Sequence, residues 1–83
     1  MKITKIYQEF ESLAEQLKIR LIIDKGNFYG GYCILEKEKV IVLNKNKPLE
    51  HRIKQLAMVI SNFNTTNIFV KPRIREIINQ NSL

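Results

Sequence analysis

The chain has 83 residues, of which 45% are hydrophobic and 27% charged, and its formal net charge is +6. This length is too short for two independently folded cores, so we expect a single domain spanning residues 1–83. A single cysteine, Cys33, excludes an intramolecular disulfide. The sequence has neither the ~20 consecutive apolar residues of a membrane-spanning helix nor an apolar signal segment at its start. We therefore expect a cytoplasmic protein that does not associate with membranes.

The first predicted element is an amphipathic helix over residues 3–17. Apolar residues recur there at spacings of three and four, which places them along one side of a helix. They are Ile3, Ile6, Tyr7, Phe10, Leu13, Ala14 and Leu17. Glutamate and glutamine side chains lie between them, so the opposite side is polar. We predict that the apolar side packs on a sheet.

Three strands are predicted next. Residues 19–24 are rich in β-branched side chains and end at the turn-forming run 25–27. Residues 28–35 and 39–44 predict two further strands around the charged tip 36–38. Consecutive strands joined in this way predict an antiparallel meander.

Glycines interrupt the second predicted strand at Gly30 and Gly31. Glycine within a strand commonly marks a bulge, or a place where another backbone or a ligand comes close. A phosphate-binding loop is an alternative, but it needs a helix N-terminus after the glycines, and here a strand follows. We therefore favour the bulge.

Two helices are predicted in the last part of the chain. Pro48 opens the first of them, because the missing N–H of proline costs nothing at a helix start. Its apolar stripe is Leu49, Ile53, Leu56, Ala57, Ile60 and Phe63. Residues 62–67 predict a loop and residues 68–70 an extended segment, and Pro72 starts a short final helix. The predicted class is α+β, in the order α-β-β-β-α-α.

Few residues could carry catalysis or bind a metal. A structural zinc site needs about four Cys or His ligands and a catalytic site about three protein ligands, whereas the chain has one Cys and one His. Cys33 lies in an apolar run, which predicts a buried small hydrophobe. His51 lies between Glu50 and Arg52, which predicts an exposed position. We predict no catalytic residue, no metal site and no cofactor.

Residues 30–62 carry a family resemblance. The run Gly30–Cys33, the strand Val40–Asn44 and the helix Pro48–Ala57 resemble the corresponding part of ImmA/IrrE-type zinc metallopeptidase domains. In that family a glycine-led hairpin precedes a helix that bears a His-Glu-x-x-His motif just after a Leu-Ala pair. The resemblance therefore points to the residues that follow Leu56-Ala57.

The metal-binding motif of that family would fall here on residues 58–62. Met58 and Asn62 stand where the two zinc-binding histidines would be, and Val59 stands in place of the glutamate that activates water. Methionine and valine can do neither task, and asparagine is a poor zinc ligand. The resemblance thus implies a degenerate derivative without catalysis.

The whole chain also resembles a small bacterial family of similar length. That family has a hairpin, a helix that begins Pro-Leu-Glu, and an ending Pro-x-x-Arg-Glu, matched here by residues 72–76. This second resemblance implies no activity.

Both faces of the third predicted strand are apolar, since Val40 and Val42 alternate with Ile41 and Leu43. A half-exposed strand should alternate with polar residues. The leading hypothesis is therefore a non-enzymatic protein-interaction module. In this hypothesis the partner that covers the second face can be another copy of the chain, which would make the protein a homodimer. The candidate interaction surface comprises Gly30, Gly31, Tyr32, Val40 and Val42.

The alternative hypothesis is a basic nucleic-acid-binding domain. Residues 25–83 carry ten basic and four acidic side chains, while residues 1–24 carry four of each. The candidate basic patch comprises Lys45, Lys47, Arg52, Lys71, Arg73 and Arg75. Lysines also keep a small protein soluble, so this hypothesis requires that the basic groups converge on one face.

Overall fold

Three helices and one three-stranded sheet form the fold in the computed structural model, which describes residues 1–82. This result confirms the α+β class and the predicted order of the elements. The elements are α1 (Ile3–Gln16), β1 (Ile19–Asp24), β2 (Gly31–Leu35), β3 (Glu38–Asn44), α2 (Leu49–Ile60) and α3 (Pro72–Gln80). Helix α3 begins at Pro72 as expected, whereas Pro48 is the residue before α2 and not its first residue.

The sheet is mixed, so the predicted antiparallel meander is wrong. Its order is β1-β3-β2: β3 pairs in parallel with β1 and in antiparallel with β2. The turn-forming residues after β1 do not close a hairpin, and residues 25–30 instead connect the two edge strands across the end of β3. A central strand is shielded on both edges and a parallel strand tends to be apolar on both faces. This position accounts for the apolar run from Val40 to Leu43.

The core lies between one face of the sheet and the helices. Helix α1 packs on β1, α2 packs on β3, and α3 packs against both α1 and α2. The sheet contributes Ile19, Ile41 and Leu43 to this core, and α1 contributes its apolar stripe, centred on Phe10. None of the helices in residues 1–82 is long and apolar enough to cross a lipid bilayer.

Gly30 lies where two backbone segments come close. A side chain at this position would collide with the carbonyl oxygen of Val42, and its φ of +88° is in the region that favours glycine. The register of β2 with β3 runs one to one from Gly31 and Val42 to Leu35 and Glu38, so no extra residue is inserted. The predicted bulge is therefore wrong, and the glycine allows the close approach of another backbone.

Asn44 ties the connection 25–30, here called the crossing loop, to the end of β3. Its side chain is only 1% exposed. The amide nitrogen Nδ2 donates to the carbonyl oxygens of Gly26 (2.8 Å) and Phe28 (2.6 Å), and Oδ1 accepts from the backbone N–H of Asn46 (2.9 Å). One buried carboxamide therefore fixes both the crossing loop and the turn that leads to α2.

We predict that Asn44→Ala destabilises the fold by about 2 to 3 kcal/mol, because it removes three hydrogen bonds at a buried position. Urea unfolding followed by circular dichroism measures the loss. Asn46→Ala is the matched control: Asn46 is exposed and joins the network through its backbone N–H, so its cost should stay below about 0.5 kcal/mol. Equal losses in the two variants would contradict the proposed role of Asn44.

Candidate functional site

The side of the sheet opposite the helices carries an apolar strip. Side chains alternate between the two faces of a strand, so the pairing places Ile22 of β1, Cys33 and Leu35 of β2 and Val40 and Val42 of β3 on this side. We call these five residues the open face. Among residues 1–82, none of them belongs to the core cluster that the helices share.

The open face is only partly shielded by its own neighbours. Val40 is completely buried although it lies outside the core cluster, and its partners on the two neighbouring strands are Arg20 and Cys33. Ile22, Cys33 and Val42 are half-buried, and Leu35 is 52% exposed. An apolar sheet face that is accessible in an isolated chain is typical of a surface that binds another protein.

The ends of the open face carry charge of both signs. Arg20 and Glu38 form an ion pair of 3.4 Å at the end where β1 and β3 begin. Asp24 and Asn44 are paired at the other end. These positions hold one basic and two acidic groups, so the net charge of +6 lies on other parts of the molecule. The open face does not favour an acidic partner.

The structure brings together three of the five predicted interaction residues. Gly31, Val40 and Val42 lie on the open side of the sheet. Tyr32 pairs with Ile41 and so faces the helices, where its ring meets that of Phe63 edge-on at 5.9 Å between centroids. Gly30 precedes β2 and contributes a close backbone approach instead of a surface.

Sequence reasoning missed Ile22, Cys33 and Leu35 as members of the open face. The alternation of side chains along each strand would have identified them if the pairing of the strands had been known. Cys33 was expected to be buried, but it is half-buried on this side of the sheet.

The candidate basic patch falls into two groups. The first surrounds the turn from β3 to α2, where the Nε of Arg52 donates to the backbone oxygen of Lys47 (3.2 Å) and Lys45 is exposed. The Arg52 guanidinium also lies over the ring of Tyr7, 5.2 Å from its centre. The Lys47 ammonium lies 4.9 Å from the ring centre of Tyr29.

The second group lies at the start of α3, where two of its members are paired with carboxylates. The Lys71 ammonium is 2.8 Å from Glu9, and the Arg73 guanidinium is 3.5 Å from Glu76. Arg75 is half-buried.

The two basic groups are anchored on different sides of α1. Arg52 contacts Tyr7, and Lys71 contacts Glu9. Residues two apart in a helix do not face each other. Arg52 and Lys71 therefore contact different sides of α1.

Cys33 and His51 are not brought together either. Cys33 is on the open face, whereas His51 is on α2, and its ring lies 6.4 Å from that of Tyr29. His51 was expected to be exposed, but it is half-buried, and its Nε2 has no hydrogen-bond partner among residues 1–82. Within residues 1–82, no three His, Cys, Asp or Glu side chains form a group that could hold a metal ion.

The residues at the positions of the metal-binding motif do meet in space. Met58, Val59 and Asn62 line a surface cavity of about 200 Å³ together with Tyr32 and Phe63. The cavity contains no carboxylate, imidazole or thiol among these lining residues, and the Asn62 Nδ2 donates to the Met58 carbonyl oxygen (3.2 Å). This lining supplies apolar contacts and no group for acid–base chemistry.

Glu9 is the titratable group whose environment is most clearly altered. A hydrogen bond from the Lys71 ammonium, assisted by the charges of Lys71 and Lys5 and opposed by partial desolvation, holds the pKa of Glu9 below its ordinary value of 4.5. The lowered pKa means that the folded chain favours the ionised carboxylate.

We predict that the Glu9–Lys71 pair stabilises the fold at neutral pH and not in acid. A lowered pKa gives a contribution that is complete above the ordinary value of 4.5 and is lost as the pH falls through the lower folded-state value. Urea unfolding should therefore show Glu9→Gln to be less stable than wild type at neutral pH, and the difference should disappear in acid once the Glu9 carboxyl is protonated in both the folded and the unfolded chain.

Glu15→Gln is the control for this prediction. Glu15 is exposed on the same helix and forms no ion pair within residues 1–82. Its replacement removes the same charge and should leave the pH dependence of stability unchanged. If both variants change the pH profile equally, the effect comes from net charge and not from the pair.

No protein-family model matches the chain, and no curated protein or solved structure is significantly similar to it.

Proposed function

We propose that the protein is a non-enzymatic protein-interaction module that pairs with a second copy of itself through the open face. The observation that carries this proposal is the apolar strip around Val40, which lies outside the core shared by the helices. Burying it against another apolar surface removes Ile22, Val42 and Leu35 from water, which is the main favourable term in protein association.

A second copy fits the chemistry of this surface better than an acidic partner does. In a two-fold interface each contact occurs twice, so a surface must be complementary to itself. The open face is apolar at its centre and has Arg20 beside Glu38 at one end, so it can offer a cation and an anion to the same groups of a second copy. Two such sheet faces pack as the layers of a β-sandwich do.

The size of the surface sets the strength of this pairing. The three strands have 6, 5 and 7 residues. With a spacing of about 4.8 Å between strands and a rise of about 3.3 Å per residue, one face of the sheet has an area of roughly 300 Å². A stable interface of standard size buries about 800 Å² on each partner. The dimer is therefore weak and reversible, and its population depends on concentration.

The proposed absence of enzymatic activity rests on the second helix. If the chain is a remnant of a zinc metallopeptidase, the three motif positions now carry Met58 and Val59 near the end of α2 and Asn62 just beyond that end. The chemistry of these three side chains supports the absence of catalysis, since methionine, valine and asparagine provide neither a general base nor good zinc ligands.

We predict that Val42→Glu weakens self-association at least about tenfold, because it places a charge at the centre of the apolar interface. Sedimentation equilibrium over micromolar to millimolar concentrations measures the dissociation constant. Phe69→Glu is the matched control, since Phe69 is 80% exposed in the segment before α3 and is not on the open face.

Leu35→Glu provides a second test if Val42→Glu does not fold, because Leu35 is on the open face and half exposed. It should weaken the dimer in the same way. A wild-type protein that remains strictly monomeric at millimolar concentration would overturn the proposal, and so would a dimer that both open-face variants leave intact.

Nucleic-acid binding is the second candidate function. Tyr29 is 74% exposed and carries the Lys47 ammonium near its ring, an arrangement that can receive a base and a phosphate. Because Lys71 and Arg73 are paired with carboxylates, only Lys45, Lys47 and Arg52 remain grouped at one place.

For this second function we predict a log–log salt slope of about −3 for duplex DNA, since each phosphate contact contributes about −0.9. Fluorescence anisotropy at several salt concentrations measures it. Binding that is absent at low salt, or that does not change with salt, would exclude nucleic acid as the partner.

A further inference from the structure

A polar cavity lies at the ends of the parallel strands β1 and β3, apart from the apolar strip of the open face. Its volume is about 330 Å³, which is near the lower limit for sites that bind small molecules. The crossing loop forms one wall and the turn after β3 forms the other. The lining residues are Gly26, Asn27, Phe28, Tyr29, Asn44, Asn46 and Lys47.

The charge of this lining is positive. Lys47 is its charged member, and no carboxylate is among the lining residues. The charged cavities elsewhere are different: the one between the starts of α1 and α2 includes both Glu50 and Lys54, and the one beside α3 includes both Glu9 and Lys71. An anion in the cavity at the strand ends would therefore meet the Lys47 cation in the lining, while the Asp24 carboxylate, next to Asn44 in the sheet, is not part of the lining.

Hydrogen-bond donors also line the cavity without being used by the fold. Within residues 1–82, the side-chain amides of Asn27 and Asn46 form no hydrogen bond, and the Lys47 ammonium contacts only the ring of Tyr29. The backbone N–H groups of residues 26–29 likewise donate to no described group. Asn44 differs, since its carboxamide is fully engaged in holding the crossing loop.

We propose that this cavity binds a phosphate monoester. A phosphate group has several acceptor oxygens and a charge near −2, so it can accept from the Asn27 and Asn46 amides and from the loop N–H groups while it pairs with Lys47. The remaining volume holds a small polar group esterified to the phosphate. The site is independent of self-association, because it lies beyond the end of the apolar strip.

The chemistry fits two sources of phosphate. One is a free small-molecule monoester, and the other is the terminal 5′-phosphate of a nucleic acid. Both present a dianionic phosphate to Lys47 and the crossing loop. They differ in what is attached, so ligands with and without a polynucleotide chain distinguish them.

Titration of ¹⁵N-labelled protein, followed by amide chemical shifts in NMR, tests the proposal. The probes are inorganic phosphate, a nucleoside 5′-monophosphate and a short RNA with and without a 5′-phosphate, all at constant ionic strength set with chloride. We expect saturable shifts of the amides of residues 26–29 with the phosphate probes. A stronger response to the phosphorylated RNA than to the monophosphate would assign the nucleic-acid source.

Variants identify the residues that bind the phosphate. Lys47→Gln should raise the dissociation constant about tenfold, as expected for the loss of a charged hydrogen bond, and Lys47→Arg, which keeps the charge, should restore most of the binding. Lys54→Gln is the matched control, because Lys54 is exposed on α2 and does not line the cavity. Asn46→Ala removes a donor at an exposed position and provides a second variant with weakened binding.

The proposal is overturned if inorganic phosphate and the nucleoside monophosphate do not shift the amides of residues 26–29, or if chloride alone reproduces their shifts. If the phosphorylated and unphosphorylated RNA act alike while the monophosphate binds, the nucleic-acid source is excluded and the small-molecule source is supported. The proposal is also overturned if Lys47→Gln and Lys54→Gln have equal effects. None of these outcomes depends on the dimer, since the titration monitors the crossing loop and sedimentation monitors the open face.

Discussion

The central position of β3 is the constraint on which the rest of the structure depends. Because β1 pairs in parallel with β3 while β2 occupies its other edge, the chain between β1 and β2 has to pass the end of the sheet. The same arrangement places a strand on each side of Val40 and Ile41, and both of these residues are fully buried. The helices cover only one face of β3, and the other becomes the open face.

The polar network at the end of β3 completes this arrangement. A loop that crosses a sheet leaves backbone carbonyl groups away from regular pairing, and such groups need partners where they are buried. Asn44 supplies the partner for two of them from a side chain that is itself buried. The crossing loop is thereby fixed beside the turn to α2, and the two segments enclose the polar cavity. The proposed dimer surface and the proposed anion site thus have a common origin in the strand order.

The helices could be predicted from the sequence because their signal is local. Apolar spacing of three and four placed α1 at residues 3–17, one residue longer than the helix observed, and Pro72 marked the start of α3. Strand pairing is not local in this sense. The apolar run from Val40 to Leu43 is typical both of a central strand and of a strand that binds a partner, and the pattern alone does not distinguish them.

The candidate sites were harder to predict for the same reason. Glu9 and Lys71 are far apart in the sequence, so the neutralisation of one member of the basic patch had no sequence signal. The residues of the open face could be identified only once the strands that pair with β3 were known. The glycines did indicate a special backbone position, but the close approach of the Val42 carbonyl explains Gly30 where a bulge was expected.

Asn44 recognises the crossing loop through backbone oxygens alone. The path of the loop is thus fixed while most of its side chains take no part in holding it, with Gly30 as the position that must stay small. Residues such as Asn27 and Tyr29 can consequently change during evolution without loss of the fold. The crossing loop is thus a segment whose side chains can diverge while its framework remains the same.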